Sequence, residues 1–224
     1  MSAPLSAVPF SLRRGEGAAA LLIWNLRLLA GPLWLLSFLI VIVLSLFCNP
    51  SLMGAVDAAY WGERFVALLS LLLLPPLALL EAGGIGEGLL SKKQRHETVF
   101  VCRWLISAAW LAVLTALFYG GAALMGADFE LPLIPGVFMT GLALGSVALL
   151  AAILLGGLSG GYIVVFAWYL LDWMTKGKWT GQLYLFSMSD GTWNTDKLWL
   201  LVLALLCLAV SAWLLPRLIK KRAF

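Results

Sequence analysis

The chain has 224 residues, of which 62% are hydrophobic and 12% charged, and its mean hydropathy is +0.99. A soluble domain is about half apolar and a quarter charged, so this composition excludes a soluble domain, a disordered tail and a disulfide-stapled secreted domain. A net charge of +4 is compatible with nucleic-acid binding, but the basic residues are distributed as in membrane proteins, and we expect no nucleic-acid partner. The composition therefore predicts a polytopic membrane protein.

Uncharged runs along the chain predict the membrane spans, because a helix needs about 20 mostly apolar residues to cross the hydrocarbon layer. The uncharged run 131–171 has 41 residues, too many for one crossing, and we divide it at the glycine-rich stretch 156–161. The prediction is a single all-α membrane domain over residues 1–224. Its six transmembrane helices are expected at residues 28–48, 60–80, 104–126, 135–156, 158–174 and 198–216.

Basic residues predict the orientation, since Lys and Arg accumulate in cytoplasmic segments. With both termini in the cytoplasm, 11 of the 15 basic residues lie in inner segments. We therefore expect a multi-pass protein of the plasma membrane, with a cytoplasmic interfacial segment at 1–27 and a cytoplasmic tail at 217–224. The outer segment 175–197 is rich in aromatic residues and is expected to lie in the membrane interface. The first apolar stretch lacks a small-residue cleavage site and is predicted to be a retained helix.

Charged residues are absent from the middle of every predicted span. Glu63 and Arg64 are expected in the interface, at the start of the second span. Coupled carriers usually keep an ionisable residue or a broken-helix ion site near the midplane, so this absence disfavours a self-powered carrier.

Catalytic and nucleotide-binding motifs are incomplete. Residues 157–160 spell G-x-S-G, the string of rhomboid intramembrane proteases, but His96, the only histidine, precedes it in an inner loop and supplies no base at that depth. The glycines at 83–88 lack the Lys-Ser/Thr of a phosphate-binding loop. We therefore expect no catalytic residues, metal or cofactor in this chain. Energy for uphill transport would come from another polypeptide.

The inner segment 81–103 resembles the cytoplasmic connection of type 2 ABC exporter permeases, which has the form E-x-x-x-G-T-x-E-x-L-L-x-x-P-x-x-R. Those permeases have six helices, cytoplasmic termini and short re-entrant helices before the last span. The residues that fall in the motif's register are Gly84, Glu87, Leu89 and Leu90, with Glu81 near the upstream acid. The departures are Ile85 for threonine, Lys93 for proline and Arg95 one place early.

The resemblance implies an export permease that forms a dimer with itself or with a sister permease. Two cytoplasmic ABC ATPase subunits would carry the ATP and Mg, and the inner segment would be the coupling helix seated in an ATPase cleft. The implied coupling residues are Glu81, Gly84, Glu87, Leu89, Leu90, Lys92, Lys93 and Arg95. An amphipathic loop that rests on lipid explains the same pattern. The alternatives for the whole chain are a stand-alone carrier or channel, and a non-transporting scaffold or immunity protein.

The fourth predicted span contains a small-residue motif. Gly141 and Gly145 form a G-x-x-x-G string, which lets two helix backbones approach closely. We predict a tight helix contact there; the alternative is that these glycines face lipid without consequence.

Overall fold

The computed structural model describes residues 14–48, 53–82 and 96–222, and the regular structure of those residues is entirely helical. An all-α fold is thus confirmed for the described residues. The α-helices are α1 (Arg14–Leu29), α2 (Pro32–Phe47), α3 (Ala55–Trp61), α4 (Ser70–Leu73), α5 (Leu77–Ala82), α6 (His96–Leu124), α7 (Leu133–Leu155), α8 (Leu158–Thr175) and α9 (Asp196–Arg222). A π-helical turn (Gly62–Val66) and a 3₁₀ turn (Ala67–Leu69) join α3 to α4, and a second 3₁₀ turn (Gly181–Leu183) precedes α9.

Several helices are long and apolar enough to cross a membrane. Four segments meet that requirement: Ala55–Leu80, Glu97–Leu124, Leu133–Leu155 and Asp196–Leu218. A fifth is the pair Leu22–Leu29 and Pro32–Phe47, bent by 65°, if the two helices form one span. These helices identify a membrane protein with four or five candidate spans, whereas the six crossings and the cytoplasmic termini stay predictions.

Two of the predicted helices are broken at prolines. The expected span 28–48 contains a break at Gly31, whose backbone is extended, and Pro32 begins the next helix. The expected span 60–80 begins earlier, at Ala55, and is interrupted at Pro75 and Pro76 before α5 begins. Proline has no N–H and clashes with the preceding turn, so both breaks follow from the sequence, although hydropathy alone hides them. We call residues 55–82 the broken helix.

The connection after α5 is shorter in the structure than the predicted range 81–103. Helix α6 begins at His96, so residues 96–103 form its first two turns and belong to the helical bundle. Arg103 is fully buried inside this helix, so it belongs to the helix and not to the connection in which the sequence predicted it.

Helix α7 lies at the centre of the bundle, and most of its residues are buried. It ends at Gly156, which adopts the left-handed conformation (φ 73°) that favours glycine, and α8 begins at Leu158. The hydroxyl of Tyr162 donates to the carbonyl of Leu71 at 3.3 Å, and that of Tyr169 donates to the carbonyl of Arg64 at 3.0 Å. Helix α8 therefore runs antiparallel to the broken helix and is hydrogen-bonded to it at two points.

Candidate functional site

The predicted coupling residues lie mostly outside the described part of the chain. Glu81 belongs to α5, with its side chain not described, and α5 leads directly into the segment. The others that fall outside the described residues are Gly84, Glu87, Leu89, Leu90, Lys92, Lys93 and Arg95. Their role in coupling stays a prediction.

The two glycines of the G-x-x-x-G string face the broken helix. A Cβ added to Gly141 would lie 3.2 Å from the carbonyl oxygen of Ala67, and one added to Gly145 would lie 3.1 Å from that of Ser70. The glycines thus occupy positions where two helix backbones are too close for a larger residue.

A buried ion pair joins the broken helix to the last helix. The Lys197 ammonium lies 2.5 Å from the Glu63 carboxylate, with relative side-chain exposures of 0% and 1%. Lys197 also donates hydrogen bonds to the hydroxyl of Thr140 (2.8 Å) and the carbonyl of Leu185 (2.6 Å). The Glu63 carboxylate accepts a further bond from the backbone N–H of Met188 at 3.2 Å. Because an ammonium has three N–H donors, Lys197 is fully satisfied.

The π-helical turn explains how Glu63 enters the bundle. A Cβ at Gly62 would overlap the phenolic oxygen of Tyr119, so only glycine fits at the start of this turn. Insertion of a π turn rotates the residues that follow and is frequent at functional sites. Here the buried residues of the turn are Gly62, Glu63 and Val66.

A second buried carboxylate, Asp172 of α8, holds the segment before the last helix. Its two oxygens accept hydrogen bonds from the Thr180 hydroxyl (2.6 Å) and the Leu185 backbone N–H (2.8 Å). Leu185 therefore donates its N–H to Asp172 and offers its carbonyl to Lys197, so both backbone groups bind buried charges. We define residues 176–195 as the cap segment; its middle part is pinned to the bundle by Glu63, Asp172 and Lys197.

The cap segment and its three anchors correct the sequence interpretation. Glu63 was expected in the interface and Lys197 in an external segment, yet both are buried within helices that could span the membrane. Their burial was not predicted from the sequence, and both residues lie toward the starts of their helices, where the sequence predicted charges. The available sequence signals were a glycine directly before Glu63 and a single lysine at the start of an apolar helix. Neither specifies a partner far away in the chain.

The opposite end of the bundle is built differently. Arg103 of α6 donates from Nε to the side-chain oxygen of Asn25 on α1 at 2.8 Å, and both residues are fully buried. Nearby, the elbow between α1 and α2 and the proline break of the broken helix line an apolar cavity of about 450 Å³ that is open on one side. The cavity is lined by Leu28, Leu29, Gly31, Pro32, Leu33, Trp34, Leu72, Leu73, Pro76, Leu77, Leu79 and Leu80.

Comparisons with known proteins do not assign the chain to a family: no protein-family model, curated protein or solved structure matches it. Within the described residues, no group of three or more His, Cys, Asp or Glu side chains is arranged to hold a metal ion.

Proposed function

We propose that this chain is the permease subunit of an ATP-driven exporter of the type 2 ABC class. It spans the plasma membrane six times with both termini in the cytoplasm. A dimer of such subunits forms the substrate pathway, and separate ATPase subunits bind the segment that contains the predicted coupling residues. The chain itself has no catalytic site in this proposal.

The observation that carries the proposal is the cap segment. The resemblance implies a segment of short re-entrant helices before the last span. Residues 176–195 contain a single 3₁₀ turn and no longer helix, but they are folded against the bundle by buried carboxylates and a buried ammonium. The three charged groups belong to the neighbouring helices, and the segment supplies backbone partners for each of them. An ordinary extracellular loop would leave those backbone groups to water, and burying the charges without them would be costly.

Two further observations support the same function. Helix α1 meets α2 at 65°, as expected of an interfacial helix that precedes the first span. Helix α8 has 18 residues, about 27 Å of rise, and lies antiparallel to the broken helix, so it is long enough to serve as the additional crossing.

A stand-alone carrier is the second candidate, and the buried Glu63–Lys197 pair favours it because intramembrane charges often mark ion pathways. The bonding of the pair argues against that role. All three ammonium donors of Lys197 have partners within the protein, and Glu63 has two donors. This arrangement is typical of a structural anchor and leaves no place for a transported cation.

Replacement of Leu89 and Leu90 by aspartate tests the proposed coupling. Two carboxylates in an apolar ATPase cleft would each cost several kcal/mol, so we expect co-purification of the ATPase, or its substrate-stimulated hydrolysis, to be lost. The control is Lys178→Gln, which changes an exposed residue outside the proposed coupling helix and keeps the apolar pair. Normal assembly and transport by the double aspartate variant would contradict the coupling role, and transport by the single chain without ATP would favour the carrier.

Labelling of single cysteines tests the orientation. In intact cells, an impermeant thiol reagent is expected to modify a cysteine at position 178 and to leave one at position 92 unmodified. Equal labelling of the two positions, or the reverse pattern, would contradict six crossings with cytoplasmic termini.

A further inference from the structure

Arg64, the residue after the buried Glu63, lies among aromatic rings from three parts of the fold. Its guanidinium carbon lies 4.1 Å from the ring centroid of Tyr60 on α3 and 5.4 Å from those of Trp173 on α8 and Phe186 in the cap segment. The backbone carbonyl of Arg64 accepts the Tyr169 hydroxyl, so the peptide unit as well as the side chain is held in place.

Among the described residues, no carboxylate forms an ion pair with Arg64. The adjacent Glu63 is bound to Lys197 and to the Met188 N–H, and the two oxygens of Asp172 accept bonds from Thr180 and Leu185. None of the Arg64 nitrogens is among the buried polar atoms that lack a partner, and no described group accepts a bond from them. The guanidinium N–H groups therefore reach the protein surface.

The surface around Arg64 is formed by exposed aromatic side chains. Arg64 is nine residues into the segment that begins at Ala55, which is about 13 Å along the helix. Its neighbours Tyr60, Phe65 and Trp173 are 40%, 38% and 50% exposed, as expected for aromatic side chains in contact with the membrane interface. A cation in the interface is attracted by anionic lipid headgroups.

The N–H donors of Arg64 favour an oxyanion as the ligand of this site. Aromatic faces stabilise a guanidinium charge, but they offer no lone pairs to its N–H donors. Those donors match the two oxygens of a phosphate or carboxylate better than any other group. The exposed rings beside the donors provide apolar surface for the rest of the molecule.

We propose that Arg64, Tyr60 and Trp173, with the buried Phe186 behind the guanidinium, form a binding site for the phosphate or carboxylate of an anionic amphiphile in the leaflet next to the cap segment. The site depends on the chain spanning a membrane and is independent of any ATPase partner. Its failure would therefore leave the proposed coupling function untouched.

The test is a lipid titration of the full chain, purified in a neutral detergent and analysed by native mass spectrometry. The probes are dioleoyl phosphatidylglycerol and dioleoyl phosphatidylcholine, which share acyl chains and differ in charge. We expect wild-type protein to prefer the anionic lipid and Arg64→Gln to weaken its binding about fivefold, with the zwitterionic lipid unaffected. Lys178→Gln, which removes an exposed charge of the cap segment, is the matched control and is expected to retain the preference.

Three results would contradict the proposal. Equal affinity of wild-type protein for the two lipids would do so without reference to any variant, even if Arg64→Gln did not fold. Unchanged preference in folded Arg64→Gln would show that another cation binds the headgroup. Inorganic phosphate is a third probe and is expected to compete only weakly, because it lacks acyl chains; complete displacement of the lipid by phosphate would assign the site to a free anion and contradict an amphiphile.

Discussion

Both ends of the helical bundle bury polar side chains, but they differ in how tightly the helices around them are packed. At the cap end, Glu63, Asp172 and Lys197 are enclosed and bound to one another or to backbone groups of the cap segment. At the other end, the helices bend at Gly31 and at Pro75–Pro76 around an apolar cavity. A fully satisfied polar network rigidifies the structure around it, whereas a cavity lacks the dense contacts that fix a packed interior. We infer that the cap segment is held rigidly against the helices. The end with the cavity has space in which side chains or ligands can move.

Loss of the Lys197 ammonium is expected to have the largest effect. Lys197→Met leaves the Glu63 carboxylate buried without its cationic partner, which should lower the free energy of unfolding by about 3–5 kcal/mol. The measurement is thermal unfolding of the purified protein in detergent. Lys178→Met, a change of the same type at an exposed residue of the cap segment, should be close to wild type.

The double variant Glu63→Gln with Lys197→Met sharpens this test. If the cost of the single variant comes from the unpaired carboxylate, removal of the charge from Glu63 should restore part of the stability. Equal losses in the single and double variants would show that the lysine acts chiefly through Thr140 and Leu185, so that the carboxylate is not what the ammonium neutralises.

Changes of side-chain volume separate the packed region from the cavity. Gly145→Leu places a Cβ 2.5 Å from the Leu74 side chain and 3.1 Å from the Ser70 carbonyl oxygen, and we expect a loss of about 1–3 kcal/mol or a reduced yield of folded protein. Leu73→Phe also adds volume, but Leu73 lines the cavity, so its stability should be near that of wild type. A larger loss for Leu73→Phe than for Gly145→Leu would reverse the assignment of the rigid and open ends.

The smallest expected effect concerns an exposed turn of the cap segment. The backbone N–H and the hydroxyl of Thr192 donate hydrogen bonds to Asp190, and these bonds lower the pKa of Asp190 in the folded state. The stabilisation is therefore present above the unfolded pKa, about 3.9, and is lost as the pH falls through the lower folded value. Asp190→Asn should unfold at nearly the same temperature as wild type at low pH and slightly earlier at neutral pH. A difference in unfolding temperature that does not change with pH would contradict this explanation.

Hydropathy predicted where the helices lie, but it did not predict most of the breaks within them. The sequence predicted a helix break in the glycine-rich stretch at 156–161, and the structure has one at Gly156. The backbone there is left-handed, a conformation that only glycine adopts without steric cost. The same prediction treated 28–48 and 60–80 as continuous, although Pro32 and Pro75–Pro76 carry a strong local signal. The close approach at Gly141 and Gly145 was suggested by spacing alone, but the partner helix was not, since a G-x-x-x-G string does not specify what it packs against.

By itself, the sequence determined that this protein resides in a membrane and that its fold is all-α. In lipid the backbone is satisfied only in helices or closed barrels, and the long uncharged apolar runs of this chain have the length of helical spans and show where those helices lie. Only the tertiary structure decided which charges are buried and with which partners. Glu63 and Lys197 are 134 residues apart in the chain, and nothing local distinguishes them from interfacial residues. Their burial depends on the cap segment, whose backbone N–H and carbonyl groups supply the remaining hydrogen bonds that make the charges tolerable inside the protein.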